Sequence, residues 1–289
     1  WMIPAPEGQP RRRSNCAFTI ATRPGPRGRA RRRCYGSCEK PIMSWAPPES
    51  VEEKAKRLLV PPGYYIRQLY GKKLKRGERE ISLVPFLSSP RRTSLDIGAN
   101  KGVYAYAMLK CSARVHAFEP NPKLFRILQG WARGRVELHE VALSDRSGTA
   151  DLYIPRSARG YSNQGGSLTR VKVSGSYGTV RVAAARLDDL DIRDVGFMKI
   201  DVEGFEVQVL EGASATLARD RPNLLIEIEE KHTRRPLAEV VRDVCAHGYQ
   251  CLALVQGRLT PFGRLDLDRH HTAPRTAEDY VYNFVFLPS

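Results

Sequence analysis

Three stretches of this chain carry residues able to do chemistry together. The first is Ser94-Leu95-Asp96-Ile97-Gly98-Ala99-Asn100-Lys101-Gly102, where an acid at a strand-like end precedes two glycines. Gly98 and Gly102 lack side chains, so the backbone there can approach a ligand closely and turn into a helix. The G-x-G-x-x-G and G-x-x-x-x-G-K-[ST] patterns of nucleotide-phosphate loops are absent. Asp96 would set negative charge beside a pyrophosphate, whereas a cationic sulfonium bearing an amino group suits it. The expected ligand is therefore S-adenosylmethionine. Glu119 lies 23 residues beyond Asp96 and ends the next strand-like run. Its two oxygens can accept both hydroxyls of a ribose. Ser144 and Asp145 end the third such run and offer an acceptor for an adenine amino group. A turn Asp can also bond its own backbone.

The second stretch, Phe197 to Glu206, sets Lys199, Asp201, Glu203 and Glu206 around an apolar strand end. Burying an unpaired charge costs several kcal/mol, so these groups should pair or face a crevice. Methyl transfer from a sulfonium is an in-line displacement that gains most from holding the acceptor oxygen near the methyl carbon. A base must then take the hydroxyl proton. Asp201 is the first candidate, with Glu203 beside it, and Lys199 neutralises Asp201 or Glu227. The third stretch supplies Glu227, Glu229, Glu230 and His232. His232 has an ordinary pKa of about 6.5 and could serve as base; a solvated loop residue beside Lys231 is its other reading. Asp201 with Glu203 and Glu229 could instead chelate Mg²⁺, a reading placed below a metal-free site.

Positioning these groups requires parallel strands whose carboxyl ends meet. After Arg92, strand-like runs alternate with helical patterns, which predicts an α/β, doubly wound, mostly parallel sheet. The strands are expected at Ser94–Ile97, Arg114–Glu119, Val136–Leu143, Phe197–Val202 and Asn223–Glu229, with helices at Val103–Lys110, Lys123–Trp131, Glu206–Leu217 and Leu237–His247. Tyr249–Val255 and Tyr280–Leu287 should close one edge as an antiparallel pair. Between strands three and four, Thr149–Pro155 and Thr179–Ala185 alternate like an antiparallel insertion, about 149–186, around a Gly/Ser-rich stretch. A long segment of that kind in a compact domain is expected to cover a site.

The ordered motifs Asp96-Ile-Gly-Ala-Asn-x-Gly102, Phe118-Glu-Pro-Asn-Pro122, Ala142-Leu-Ser-Asp145, Leu187-Asp188, Lys199-Ile-Asp-Val-Glu-Gly204 with Glu206, and Leu210-Glu-Gly-Ala213 resemble the FkbM family of methyltransferases. The resemblance runs over about 93–229. It implies a Rossmann-like class I methyltransferase fold with an antiparallel edge strand. It also implies S-adenosylmethionine as donor and a hydroxyl acceptor on a sugar, polyketide or other secondary metabolite. Carried over with it are Asp96, Gly98, Asn100, Gly102 and Glu119 for the cofactor, and Asp201 and Glu203 at the reactive end. The N-terminus and the region after Glu229 fall outside it, so acceptor identity is not inherited.

Charge separates the chain into parts. The formal net charge is +16, but residues 1–95 hold 21 Lys/Arg against 7 Asp/Glu, leaving the remainder nearly neutral. Residues 1–44 form a basic Arg/Pro/Gly-rich tail that should not fold alone. It reads as an over-extended gene start before Met43, with a basic arm for an acidic partner as the alternative. Residues 45–92 are expected to form a helical cap. One helix ends at Pro61-Pro62-Gly63, a second apolar cluster starts at Tyr64, and a basic turn covers Lys72–Arg79. Residues 93–289 form the cofactor-binding domain.

The basic N-terminal third makes an RNA methyltransferase the rival reading, but Asp201-Val-Glu-Gly204 would repel phosphate and lacks a base-amine loop. A non-catalytic binder retaining the fold is the second rival. The six cysteines have no paired spacing, and no His lies in residues 1–44 to join Cys34 and Cys38, which speaks against disulfides or zinc. No apolar window approaches the roughly 20 residues of a membrane span. The expectation is a cytoplasmic enzyme with no membrane partner, no nucleic acid on its main domain and a small-molecule or glycan acceptor. No motif encodes the oligomeric state.

Overall fold

The computed structural model describes residues 45–157, 160–161, 166–168, 176–276 and 278–289. The reading of residues 1–44 as a tail or mis-called start lies outside these described residues. The described chain begins with α1 (Val51–Leu59) and α2 (Pro62–Arg76), a 3-10 turn over Arg79–Leu83, and α3 (Val84–Leu87). β1 (Thr93–Ile97), α4 (Val103–Met108), β2 (Arg114–Phe118), α5 (Pro122–Ala132) and β3 (Glu137–His139) follow as βαβ units. Next come β4 (Ala142–Leu143), β5 (Gly148–Ser157), β6 (Gly160–Tyr161) and β7 (Tyr177–Ala185). The order then runs through β8 (Val195–Ile200), α6 (Glu206–Glu211), α7 (Ser214–Asp220), β9 (Asn223–Glu227), α8 (Glu230–Thr233) and α9 (Leu237–Cys245). β10 (Tyr249–Val255), β11 (Arg258–Pro261) and β12 (Asn283–Pro288) complete it.

The main sheet has the order β11-β10-β12-β9-β8-β1-β2-β3. The five strands from β9 to β3 are parallel, and β12 is antiparallel to β9. This is an α/β, doubly wound, Rossmann-like fold with an antiparallel strand towards one edge. The chain moves outward from β1 to β3, then crosses back to β8, so the order reverses between β1 and β8. Ligands of open α/β sheets bind at such a reversal, beyond the carboxyl ends of the strands.

Period-two alternation decides what faces each helix layer. Leu95, Ile97, Met198, Ile200, Leu224 and Ile226 belong to one core, while Phe197, Leu225 and Val285 belong to the other. The register pairs Asp96 with Lys199. By alternation both share the face of Phe197, the face also packed by Ile66 of α2 and by Ile81, Val84 and Leu87. A buried carboxylate and a buried ammonium thus lie under the N-terminal helices.

Several boundaries differ from those expected. Val136–Leu143 is not one strand: Glu137–His139 pairs with β2, and Ala142–Leu143 joins β7 in a second four-stranded sheet, β4-β7-β5-β6. The antiparallel pairing of β5 with β7 draws those last residues out of the main sheet. Glu206–Leu217 is two helices, broken where Gly212 lets the chain reach the Ser144 carbonyl; a Cβ at Gly212 would lie 1.9 Å from that oxygen. Pro61-Pro62-Gly63 ends α1 but also starts α2, because proline suits the first helical position. Lys72–Arg76 consequently lies within α2 and is not a turn. The β10–β12 pair sits inside a further edge strand, β11.

Candidate active site

At the carboxyl end of β1, Asp96 is buried and its Oδ2 accepts the Ala105 N–H at 2.8 Å, capping the first turn of α4. Burial pushes its carboxyl pKa up to about 7; the Ala105 N–H and the Lys199 ammonium oppose this, and Asp201 and Glu78 reinforce it. The two glycines serve packing within the protein. Gly98 has φ +79°, and a Cβ there would lie 1.9 Å from the Asp201 carbonyl oxygen. Gly102, at φ +83°, would meet Leu128 and Trp131 at 2.4 and 2.5 Å. Their spacing therefore reports the closeness of β1 to β8 and of α4 to α5.

Asn100 also takes a positive φ, 54°, and donates its N–H to Glu119 Oε2 at 2.6 Å. Asn121 donates to Glu119 Oε1 at 2.8 Å, and its own side chain caps α5 by accepting from the Lys123 N–H. Glu119 is buried, which raises its pKa to about 7; the two N–H donors oppose the rise, and Asp96 and Asp201 add to it. Each oxygen of Glu119 accepts one backbone N–H and retains a further lone pair. Glu119 lines a small cleft of about 70 Å³ with Pro120, Asn121, Val141 and Leu143, and with Leu152, Gly166 and Leu168 of the inserted sheet. Ser144 and Asp145 are not brought into that lining. Ser144 Oγ donates to Asp145 Oδ1 at 2.8 Å, which with burial opposing and Arg146 assisting holds the Asp145 carboxyl below its ordinary range.

The end of β8 provides the charge cluster. Asp201 is tied to β1 through its N–H to the Ile97 carbonyl. Lys199 is buried, with Nζ 3.8 Å from Asp201 Oδ2 and 5.2 Å from the centre of the Tyr104 ring. Burial pulls its pKa down, but Asp201, Glu227, Glu78 and Asp96 together hold it above the ordinary value. Glu203 has φ 57°, and the next residue, Gly204, has φ 98°. A side chain at Gly204 would strike the His232 carbonyl at 2.6 Å, so this strained turn presses Glu203 against α8. Ser167 of the insertion donates to the Glu203 carbonyl at 2.7 Å. Glu206 is buried; its Oε1 accepts from Gly204 N–H, its Oε2 has no partner, and burial raises its pKa to about 7.

Beyond β9, His232 is buried and is not the solvated loop residue that its neighbour Lys231 suggested. Its Nδ1 lies 3.3 Å from Glu203 Oε2 and 3.4 Å from Glu229 Oε1. Glu229 in turn accepts from Tyr280 Oη at 2.6 Å and pairs with Lys231. These partners hold the Glu229 carboxyl below its ordinary range although burial opposes them. Glu229 is thus engaged away from Asp201. Among the described residues, the acids that bring one oxygen each within 4.8 Å of one another are Asp201, Glu203 and Glu227, which replaces the set expected for a chelate. Burial and the neighbouring Asp201 push the Glu227 carboxyl up to about 9.

A larger cavity of about 750 Å³, within the range of ligand sites, joins these groups. It shares Gly98, Asn100, Asp201 and Glu203 with the small cleft. Sequence reasoning missed part of its wall: Leu69 and Lys73 of α2, Glu78 after it, Tyr104 of α4, and Tyr280 with Tyr282. Glu78 pairs with Lys73, and Lys199 and Lys73 together lower its pKa against the effect of burial. The one available signal was alternation across Tyr280-Val281-Tyr282, which sets both rings on one side. Nothing local marks Glu78, an acid at the end of a basic run.

Comparison with known proteins adds a family. The model of the methyltransferase FkbM domain matches residues 96–251. The 2-O-methyltransferase NoeI of Sinorhizobium fredii (strain NBRC 101917 / NGR234) is 31% identical over 157 residues, covering 48% of this chain. The match spans 64% of NoeI, somewhat under two thirds of its length. Among solved structures, the methyltransferase FkbM from Methylobacillus flagellatus KT aligns with TM-score 0.46 and 18% identity, over 68% of this chain and 44% of that one. An rRNA methylase from Streptococcus thermophilus aligns with TM-score 0.42 and 10% identity, over 73% of this chain and 94% of that one.

Proposed function

The chain belongs to the FkbM methyltransferase family, and on that premise we propose that it moves a methyl group from S-adenosylmethionine to a hydroxyl of a small-molecule or glycan acceptor. The observation that carries this reading is the meeting, at the sheet's reversal point, of a ribose-type acid and a proton-accepting cluster in adjoining cavities. Glu119 bounds the small cleft, Asp201 and Glu203 bound both cavities, and His232 bounds the larger one.

When bound, S-adenosylmethionine supplies the electrophilic methyl group. Glu119 fits its ribose, because two backbone N–H groups orient the carboxylate and leave lone pairs for two hydroxyls. Asp96 has one oxygen committed to Ala105 and offers the other, with its charge, to the amino end. The small cleft is well below the usual volume of a ligand site, so Leu152 and Leu168 of the insertion must withdraw as the nucleoside enters. Residues 45–92 act as a cap that adds Leu69, Lys73 and Glu78 to the acceptor side.

The acids divide by proton affinity, as acid and base roles require. Burial and the neighbouring Asp201 raise the proton affinity of Glu227, which suits it to donate a hydrogen bond to the acceptor. Asp201 accepts the hydroxyl proton. Glu203 and Glu229 orient His232, which is the second choice for that step. Six acidic residues line the larger cavity against four lysines, a surplus that suits a hydroxyl acceptor over a phosphate backbone. The name of NoeI supports oxygen as the atom methylated.

Calorimetry tests the donor: S-adenosylhomocysteine should bind at micromolar affinity, and Asp96→Ala and Glu119→Ala should each abolish it. Binding of NADH in its place would overturn the proposal. Radiolabelled methyl transfer into a metabolite extract then identifies the acceptor.

A further inference from the structure

α1 is amphipathic in the wrong sense for a helix packed on a core. Ser50 and Glu53 form a capping box at its start, and Glu53 also reaches inward to Lys123 Nζ, a buried lysine of α5, at 2.9 Å. At roughly 100° per residue, Val51, Ala55, Leu58 and Leu59 fall on the side opposite Glu53. That side faces outward, and Val51, Leu58 and Leu59 are 85, 77 and 80% exposed. Tyr64, in the first turn of α2, and Phe86 of α3 are exposed as well. Among the described residues, seven of the eight exposed large apolar side chains lie between Trp45 and Phe86. Residues 45–92 also carry 11 Lys/Arg against 5 Asp/Glu, and Lys54 of α1 with Arg67, Lys72 and Lys75 of α2 are exposed.

Apolar exposure and positive charge thus coincide on one stretch of the chain. We propose that this face docks on an anionic lipid surface, with Val51, Leu58, Leu59 and Tyr64 entering the interface and the surrounding lysines meeting lipid phosphates. Aliphatic side chains flanked by basic ones suit that boundary, where each kind of group finds its own layer. The alternative is disfavoured by charge. A second copy of this face would bring the same positive surplus against itself. No helix of the described residues is long and apolar enough to cross a membrane, so the helix pair would lie in the plane of the surface. Leu69 and Lys73 of α2 also line the larger cavity, so docking would set that cavity beside the lipid.

Co-sedimentation of the full chain with vesicles tests this. The wild type should bind vesicles of equal phosphatidylcholine and phosphatidylglycerol at least about tenfold more strongly than phosphatidylcholine alone, and less tightly at high salt. The double variant Leu58→Glu/Leu59→Glu alters two exposed residues remote from the donor site. It should lose at least about tenfold in vesicle binding while its circular dichroism and S-adenosylhomocysteine affinity stay unchanged. Absence of wild-type binding to the anionic vesicles, or equal binding by the double variant, would overturn the proposal. So would vesicle-independent dimers that the double variant disperses. None of these results bears on methyl transfer, which the cofactor titration reads separately.

Discussion

The strand ends of the sheet and the N-terminal helices place polarity in opposite ways. At the strand ends Asp96, Glu119, Lys199 and Glu206 are buried, among apolar side chains that are also buried. On α1 and the start of α2 the apolar side chains are outside, and an acid, Glu53, is turned in. Buried charge is costly, so a region that keeps several of them is shaped by chemistry more than by stability. Exposed aliphatic groups gathered in one place likewise point to a surface that meets something. The two departures from ordinary burial mark two different tasks.

This contrast can be broken most sharply at Asp201. Asp201→Asn should lower methyl transfer by about 10²–10⁴-fold and leave S-adenosylhomocysteine affinity within a few-fold, as measured by single-turnover assay and calorimetry. Unchanged turnover would remove Asp201 from the mechanism and pass the role to His232. Lys199→Met tests whether the buried ammonium compensates its four carboxylates. Removing one member of such a cluster should cost about 3–5 kcal/mol in urea denaturation. A cost near zero would mean that the acids are already neutral.

Glu206 allows a pH test with a defined sign. Its folded pKa of about 7 exceeds that of the unfolded chain, so the folded state binds the proton more tightly. Stability linked to it is present at low pH and is lost as pH rises from about 4.5 to about 7. Glu206→Gln should therefore gain on the wild type across that window, by up to about 3 kcal/mol, in paired thermal melts. A constant difference would show that Glu206 ionises normally. The smallest effect compares one residue type in the two regions. Leu95→Ala, in the sheet core, should cost about 2–5 kcal/mol, whereas Leu58→Ala should stay within about 0.5 kcal/mol. A large loss at Leu58 would mean that the α1 stripe is packed in solution.

Much of the sheet was legible because strands and crossover helices have local periods. The runs around Leu95, Val115, Met198 and Leu224 read directly as strands, and the β5–β7 insertion showed in its alternation. The break between β3 and β4 was not legible, since it depends on which distant strand wins Ala142 and Leu143 as partners. Gly98 was noticed for its type, but its reason, a 1.9 Å approach to the Asp201 carbonyl, lies some hundred residues away. Ser144 and Asp145 were placed by strand order, and the chain's shift to the second sheet left them outside the cleft.

Residue type and spacing alone gave the family resemblance, the succession of the parallel strands along the chain and the acids at their ends, because a strand's end and its next turn are written in consecutive residues. Only the tertiary structure decided which charges meet. The register set Asp96 beside Lys199, the helix pair delivered Glu78 to the same cation, and the C-terminal segment brought Tyr280 to Glu229. The same folding turned Glu53 inward and left Leu58 and Leu59 outside. Such pairings join segments far apart in sequence, and their energy depends on burial and distance, which no local pattern encodes.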